Sequence, residues 1–176
     1  MRRIYTTTCI SPIGNVILGS DGEALVGLWL EGQKYFLSGY EETEDNDTLE
    51  IFKETKLWLD EYFKGNNPEI TMSLAPCGTE FQHKVWKELE CIPYGKTITY
   101  GNIAKKLGIK SGQAVGGAVG KNPISIIIPC HRVVGKNNTL TGYAGGTDKK
   151  LELLKLENCN IKIPDESKEK ARFSSC

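Results

Sequence analysis

Residues 126–134 read Ile-Ile-Ile-Pro-Cys-His-Arg-Val-Val, and no other stretch constrains the chain as tightly. A run of β-branched side chains without a polar interruption predicts a strand buried on both faces, and Pro129, which has no N–H to give, ends its ladder pairing. Cys130 is therefore expected at the exit of a buried strand. A thiol held there by rigid backbone, with the imidazole of His131 next along the chain, has the parts of an activated nucleophile. The thiolate is the reactive form, and a neighbouring base or cation raises its share. The same pair also fits a small core cysteine beside a histidine that hydrogen-bonds backbone, so the rest of the sequence has to decide.

The 176 residues are enough for one domain or two small ones with a buried core. No apolar run approaches the ~18 residues of a membrane span. The start of the chain, with Arg2, Arg3 and Tyr5 among threonines, lacks the apolar region of a signal peptide. An intracellular protein without a membrane partner is expected, cytoplasmic or, in a eukaryotic host, nuclear. The six cysteines form no Cys-x-x-Cys pair and only two histidines accompany them, so zinc-ligand spacing is absent and no metal is expected. A disulfide framework is disfavoured in a chain of this length without an export signal. Net charge is zero, but it is unevenly spread: residues 1–78 carry 6 Lys+Arg against 13 Asp+Glu, and residues 79–163 carry 13 against 6. A basic half joined to an acidic one fits a module that faces DNA phosphates beside a neighbour that stays off them.

Along the chain, Ile4–Ile10, Asn15–Leu18 and Ala24–Leu30 alternate or are apolar and are separated by turn signals, Asp21-Gly22 the strongest, which predicts an antiparallel meander. The acidic stretch 41–47 reads as a solvated loop. From Thr48, residues Phe52, Leu59, Tyr62 and Phe63 share one helical face, closed by Lys64-Gly65. Residues 70–74 offer a further strand, and 75–78 read as a link between an N-terminal domain, residues 1–76, and a C-terminal one, residues 77–163. The segment 164–176 is expected to be a disordered tail. Thr79-Glu80-Phe81-Gln82 is a capping box opening a helix with Phe81, Val85, Trp86 and Leu89 on one face. A short helix near 100–107, capped by Thr99, and another over 111–120, with Gly108 between, form a helix-turn-helix pattern. The second reads Ser-Gly-Gln-Ala-Val-Gly-Gly-Ala-Val-Gly, and each interior glycine costs about 1 kcal/mol relative to alanine. Such a helix needs a close approach, either by another helix or by an external partner. Thr147-Asp148 reads as the cap of a last helix bearing Leu151, Leu154 and Leu156, with Glu157 near its end. Trp29, Trp58 and Trp86 read as core.

Ile-Pro-Cys-His-Arg-Val, together with Asn122-Pro123, Ala-Val-Gly-Gly-Ala at 114–118 and Gly-Tyr-Ala-Gly-Gly at 142–146, resembles the signature of the methylated-DNA-protein-cysteine methyltransferases, which repair O6-alkylguanine. The resemblance implies a mixed α/β protein: a ribonuclease H-like N-terminal domain and a helix-turn-helix, winged-helix-like C-terminal domain. The implied partner is double-stranded DNA containing O6-alkylguanine, bound through the minor groove by a monomer. It implies single-use transfer of the alkyl group, also from O4-methylthymine, to Cys130, without a cofactor because the damaged DNA is the donor. Residue by residue it assigns His131 as base acting through a water, Glu157 as its orienting carboxylate, Tyr100 as donor to the departing base and Asn122 as a brace. Gln113, Ala114, Gly117 and Lys121 fall on the DNA, and Tyr143, Val133 and Ala144 on the substrate pocket. Arg132 is implied to be structural. Two departures stand out: Gln113 occupies the position of an arginine that enters the duplex in many relatives, which predicts weaker or less selective flipping, and Ala144 replaces a serine seen in some. The competing reading is an alkyltransferase-like protein that binds lesions without transfer; such proteins lack the cysteine present here. A thiol hydrolase would leave the helix-turn-helix and the charge split unused.

Overall fold

The computed structural model describes residues 2–162; the expected tail lies outside the described residues. Three strands, β1 (Arg3–Ser11), β2 (Gly14–Ser20) and β3 (Leu25–Leu30), form the antiparallel meander. The acidic stretch is not a loop throughout: Glu42–Asp45 is β4, parallel to β1 at the sheet edge, giving the order β3-β2-β1-β4. An edge strand needs only backbone pairing on one side, so its side chains stay exposed, and its charges protect the edge. Arg3 pairs with Glu44, and the Thr6 hydroxyl donates to Asp45 (3.0 Å).

Helix α1 (Glu50–Phe63) buries Phe52, Leu59 and Tyr62 against this sheet, and Gly65, at φ +90°, ends it. No strand forms over 70–74: Leu74 alone makes a bridge, to Leu25, while Ile70 is exposed. Helix α2 (Glu80–Glu90) has the complete Thr79/Gln82 capping box. The two-residue strand β5 (Ile98–Thr99) leads into α3 (Tyr100–Lys106), and α4 (Gly112–Gly120) follows the turn at Gly108 with Ser111 as N-cap. Strand β6 (Val133–Val134) pairs in parallel with β5. The last helix, α5 (Thr147–Leu156), is entered through Gly146 at φ +101°, with no side-chain cap; Asp148 lies inside the first turn instead, where it complements the helix dipole.

The isoleucine run is buried as expected, but it is not a strand. Ile124 bridges Leu28 of β3, and residues 125–128 then close tight turns, with Ile126 at φ +70°. Apolar side chains can be buried without a ladder if the backbone finds other partners. Here the Asn122 side chain supplies them: its amide donates to Ile128 O (2.8 Å) and Ile124 O (3.3 Å), and its oxygen accepts from Ile124 N (3.0 Å). A left-handed β-branched residue four positions before the cysteine is strain of the kind that surrounding structure must hold in place. The halves share the larger of two buried clusters, while a smaller one, Ile4, Val26 and Trp29, lies within the N-terminal half. One cluster runs from Val16, Leu28 and Phe52 through Trp86 and Val115 to Ile128 and Leu153, and Trp86 anchors α2 to α4 by donating to Ala118 O (2.8 Å).

Candidate active site

Pro129 delivers Cys130 into a single turn of 3-10 helix, Cys130–Arg132, rather than to the end of a strand. That turn sends three consecutive side chains in different directions. His131 is fully buried and its Nε2 hydrogen-bonds Glu157 Oε2. Arg132 Nε donates to Glu157 Oε1 (2.7 Å) and its Nη1 to Ile92 O (2.7 Å). Glu157, the residue after α5, also accepts from the Tyr62 hydroxyl (2.6 Å) and from Gly95 N (3.1 Å). Burial alone would raise its carboxyl, but the bonds from His131, Arg132 and Tyr62 win and hold it at about 2. Burial pushes the His131 imidazole below its ordinary value, with the bond to Glu157 opposing. A neutral ring donating from Nε2 leaves Nδ1 as an acceptor, and Nδ1 has no partner among the described residues. The imidazole is thus set as a base with its tautomer fixed by the carboxylate.

The thiol itself is only 4% exposed, yet it lines an open cavity of about 270 Å³, room for about nine waters at their liquid volume. Burial pushes the Cys130 thiol up; the Asn122 and Tyr143 side chains and the Lys150 charge pull it down. Tyr100, Gly116, Gly117, Gly120, Tyr143 and Ala144 share the cavity wall, together with Lys34 and Tyr35. The Tyr100 hydroxyl accepts from Thr141 (3.3 Å), and the buried Tyr143 hydroxyl makes no hydrogen bond of ordinary geometry among the described residues. Val133 does not line this cavity. It lies behind it, paired to Ile98, because its strand turns the side chain into the core.

Gln113, Ala114, Gly117 and Lys121 are exposed on one side of α4 and its C-cap, while Val115, Ala118 and Val119 are buried on the other. The glycines are not demanded by packing: a methyl group added at Gly112, Gly117 or Gly120 meets nothing within 4 Å. Only Gly116 has a neighbour, the Tyr100 ring at 3.9 Å. Close approach by another helix is therefore not what the stripe serves.

Four residues contribute that the sequence does not single out. In the sequence Tyr62 reads as one residue of a helix face; its signal is the hydroxyl, which a buried tyrosine must partner. Lys150 is fully buried, its ammonium donating to Val133 O (2.6 Å), Thr141 Oγ1 (3.1 Å) and Gly142 O (3.4 Å), and burial brings it down to about 8. Nothing in its helical spacing announces this. Lys34 and Tyr35 reach the cavity from the other half of the chain, which no local pattern could reveal.

Fold and site together define a class: a ribonuclease-like sheet domain fused to a helix-turn-helix, with a buried cysteine, histidine and glutamate beside an open cavity. Family models match on both parts, the ribonuclease-like domain of 6-O-methylguanine DNA methyltransferase over residues 4–76 and its DNA-binding domain over residues 80–159. The chain belongs to the 6-O-methylguanine DNA methyltransferase family. It is 48% identical to the methylated-DNA–protein-cysteine methyltransferase of Methanosarcina acetivorans, over 88% of this chain and 98% of that one. With its counterpart from Mycobacterium leprae it shares 44% identity over 90% and 94%. The crystal structure of Mycobacterium tuberculosis OGT in complex with DNA superposes with a TM-score of 0.76 at 39% identity, covering 89% of this chain and 93% of that one. No helix among the described residues is long and apolar enough to cross a membrane.

Proposed function

We propose that the protein repairs alkylated DNA by direct reversal, moving the alkyl group of O6-methylguanine, and of O4-methylthymine, onto Cys130. The observation that carries this reading is the position of the sulfur: at the wall of a cavity that opens beside the bare-glycine face of α4. That face lets a duplex lie against backbone through its minor groove, and Lys121 and the basic half of the chain supply phosphate binding without sequence preference. Gln113 enters the space left by the extruded nucleotide. The nucleotide leaves the stack at a cost that alkylation has already lowered, and its base enters the cavity.

His131 Nδ1 takes the thiol proton through one water. The thiolate then attacks the alkyl carbon in line: the S–C bond forms, the C–O6 bond breaks, and its electron pair leaves with guanine. Tyr100 donates to the departing base and neutralises the developing charge, while Tyr143 and Ala144 border it and Asn122 holds the cysteine backbone. The product is a thioether that no group in the site can hydrolyse, so each molecule acts once, as a monomer and without a cofactor. Its place of action is the cytoplasm of a cell whose DNA lies there. The test is stoichiometry: protein titrated against excess duplex carrying methylated guanine removes one lesion per molecule and then stops. Continued turnover, or tight binding with every lesion left intact, would overturn the reading in favour of a hydrolase or of a lesion-binding protein respectively.

A further inference from the structure

The cavity around Cys130 is not built by the C-terminal half alone. Lys34 and Tyr35, from the turn that follows β3, complete its wall. That turn is fixed to the catalytic half at several points. Gln33 is buried, with its side-chain oxygen accepting from Leu30 N (3.0 Å) and from the Ser125 hydroxyl (2.9 Å). Lys34 N–H donates to Ala144 O (3.1 Å), and Lys149 Nζ to Glu31 O (2.8 Å). Gly145 packs so close to Leu30 that an added methyl group would lie 2.6 Å from Leu30 Cδ1. The base of the turn is thus locked onto the 142–146 loop, while its tip is open: Tyr35 is 53% exposed and Phe36 46%. Tyr35 is also held at φ +60°, which a tyrosine rarely adopts, and Lys121 at the end of α4 stands 5.6 Å from the centre of its ring.

We infer that this turn is a working wall of the acceptor pocket, with the Tyr35 ring packing on the extruded nucleotide and limiting the size of alkyl group that reaches Cys130. The inference rests on the proposed transfer reaction. An exposed aromatic ring, kept in a costly conformation between a nucleobase-sized cavity and a lysine on the DNA-facing helix, has the chemistry that stacks on a base whatever its identity. Tyr35 here is a positioning and specificity residue; the acid–base chemistry stays with the residues described above.

The experiment measures rates of methyl and of benzyl transfer to Cys130 from otherwise identical duplexes, by protein mass, for the wild type, Tyr35→Ala and Tyr35→Phe. Loss of one base–aromatic stack predicts a methyl-transfer rate about tenfold lower in Tyr35→Ala. Because the wall is removed, the benzyl-to-methyl rate ratio rises about threefold or more, and Tyr35→Phe restores both quantities. If Tyr35→Ala matches the wild type, or if both rates fall in parallel with the ratio unchanged, Tyr35 is not a wall and the inference is overturned. A wild-type protein that transfers neither group would sink the proposed function itself, which separates the two failures.

Discussion

Glu157 carries more of the site than its place at the end of α5 suggests. Its two oxygens take hydrogen bonds from Tyr62, His131, Arg132 and Gly95, so one carboxylate ties α1, the turn after α2 and the Cys130 turn together. Held at about 2 against an ordinary 4.5, it contributes about 3 kcal/mol to folding above pH 4.5, lost as pH falls towards 2. His131, held below its ordinary 6.5, acts in the same direction: the unfolded chain binds a proton that the folded one refuses. Urea unfolding followed across pH should show stability declining below about 6.5 and steeply below 4.5. In Glu157→Gln the steep part should flatten, with a loss at neutral pH of about 3 kcal/mol from the buried arginine left without its counter-charge. Lys150 acts on the thiol itself. Its charge favours the Cys130 thiolate, so Lys150→Met should shift the rising limb of the transfer rate to higher pH, measured by single-turnover kinetics. Cys130, His131, Asn122 and Tyr100 are legible as candidates because they match positions of a known family's pattern. Tyr62, Lys150 and Tyr35 are not, because their parts depend on which distant elements meet.

Helix α4 shows a local rule broken for an external reason. Helix propensity argues against its glycines, and the interior does not require them, since Gly117 has open space where a side chain would be. Gly117→Ala should therefore raise stability by about 1 kcal/mol while weakening duplex binding, a trade that thermal unfolding and a DNA titration on the same sample would show. Helix boundaries are legible in the sequence where caps and turns are chemical, at Thr79, Thr99, Ser111, Gly65 and Gly108. Structure is not legible where burial occurs without a strand. The isoleucine run has the composition of a strand, but the Asn122 side chain supplies backbone partners in place of a neighbouring strand. The acidic stretch is the converse, a strand without a strand's composition, since pairing along one edge asks nothing of its side chains.

At the scale of the molecule, the charge asymmetry divides the chain in two while the core does not. The acidic half contributes Tyr62 to the carboxylate network, Gln33 to the turn before the cysteine and Tyr35 to the cavity. A shared core predicts a single cooperative transition: tryptophan fluorescence, which reports Trp29 and Trp58 in one half and Trp86 in the other, should coincide with far-ultraviolet dichroism through a urea titration. Two separated transitions would mean that the halves fold independently. The central claim is settled by weighing one peptide. After incubation with duplex DNA carrying O6-methylguanine, the fragment containing Cys130 should gain a single methyl group, and the Cys130→Ser protein should gain none while binding the duplex. A methyl group found elsewhere, or an unchanged Cys130 peptide beside repaired DNA, would contradict the account.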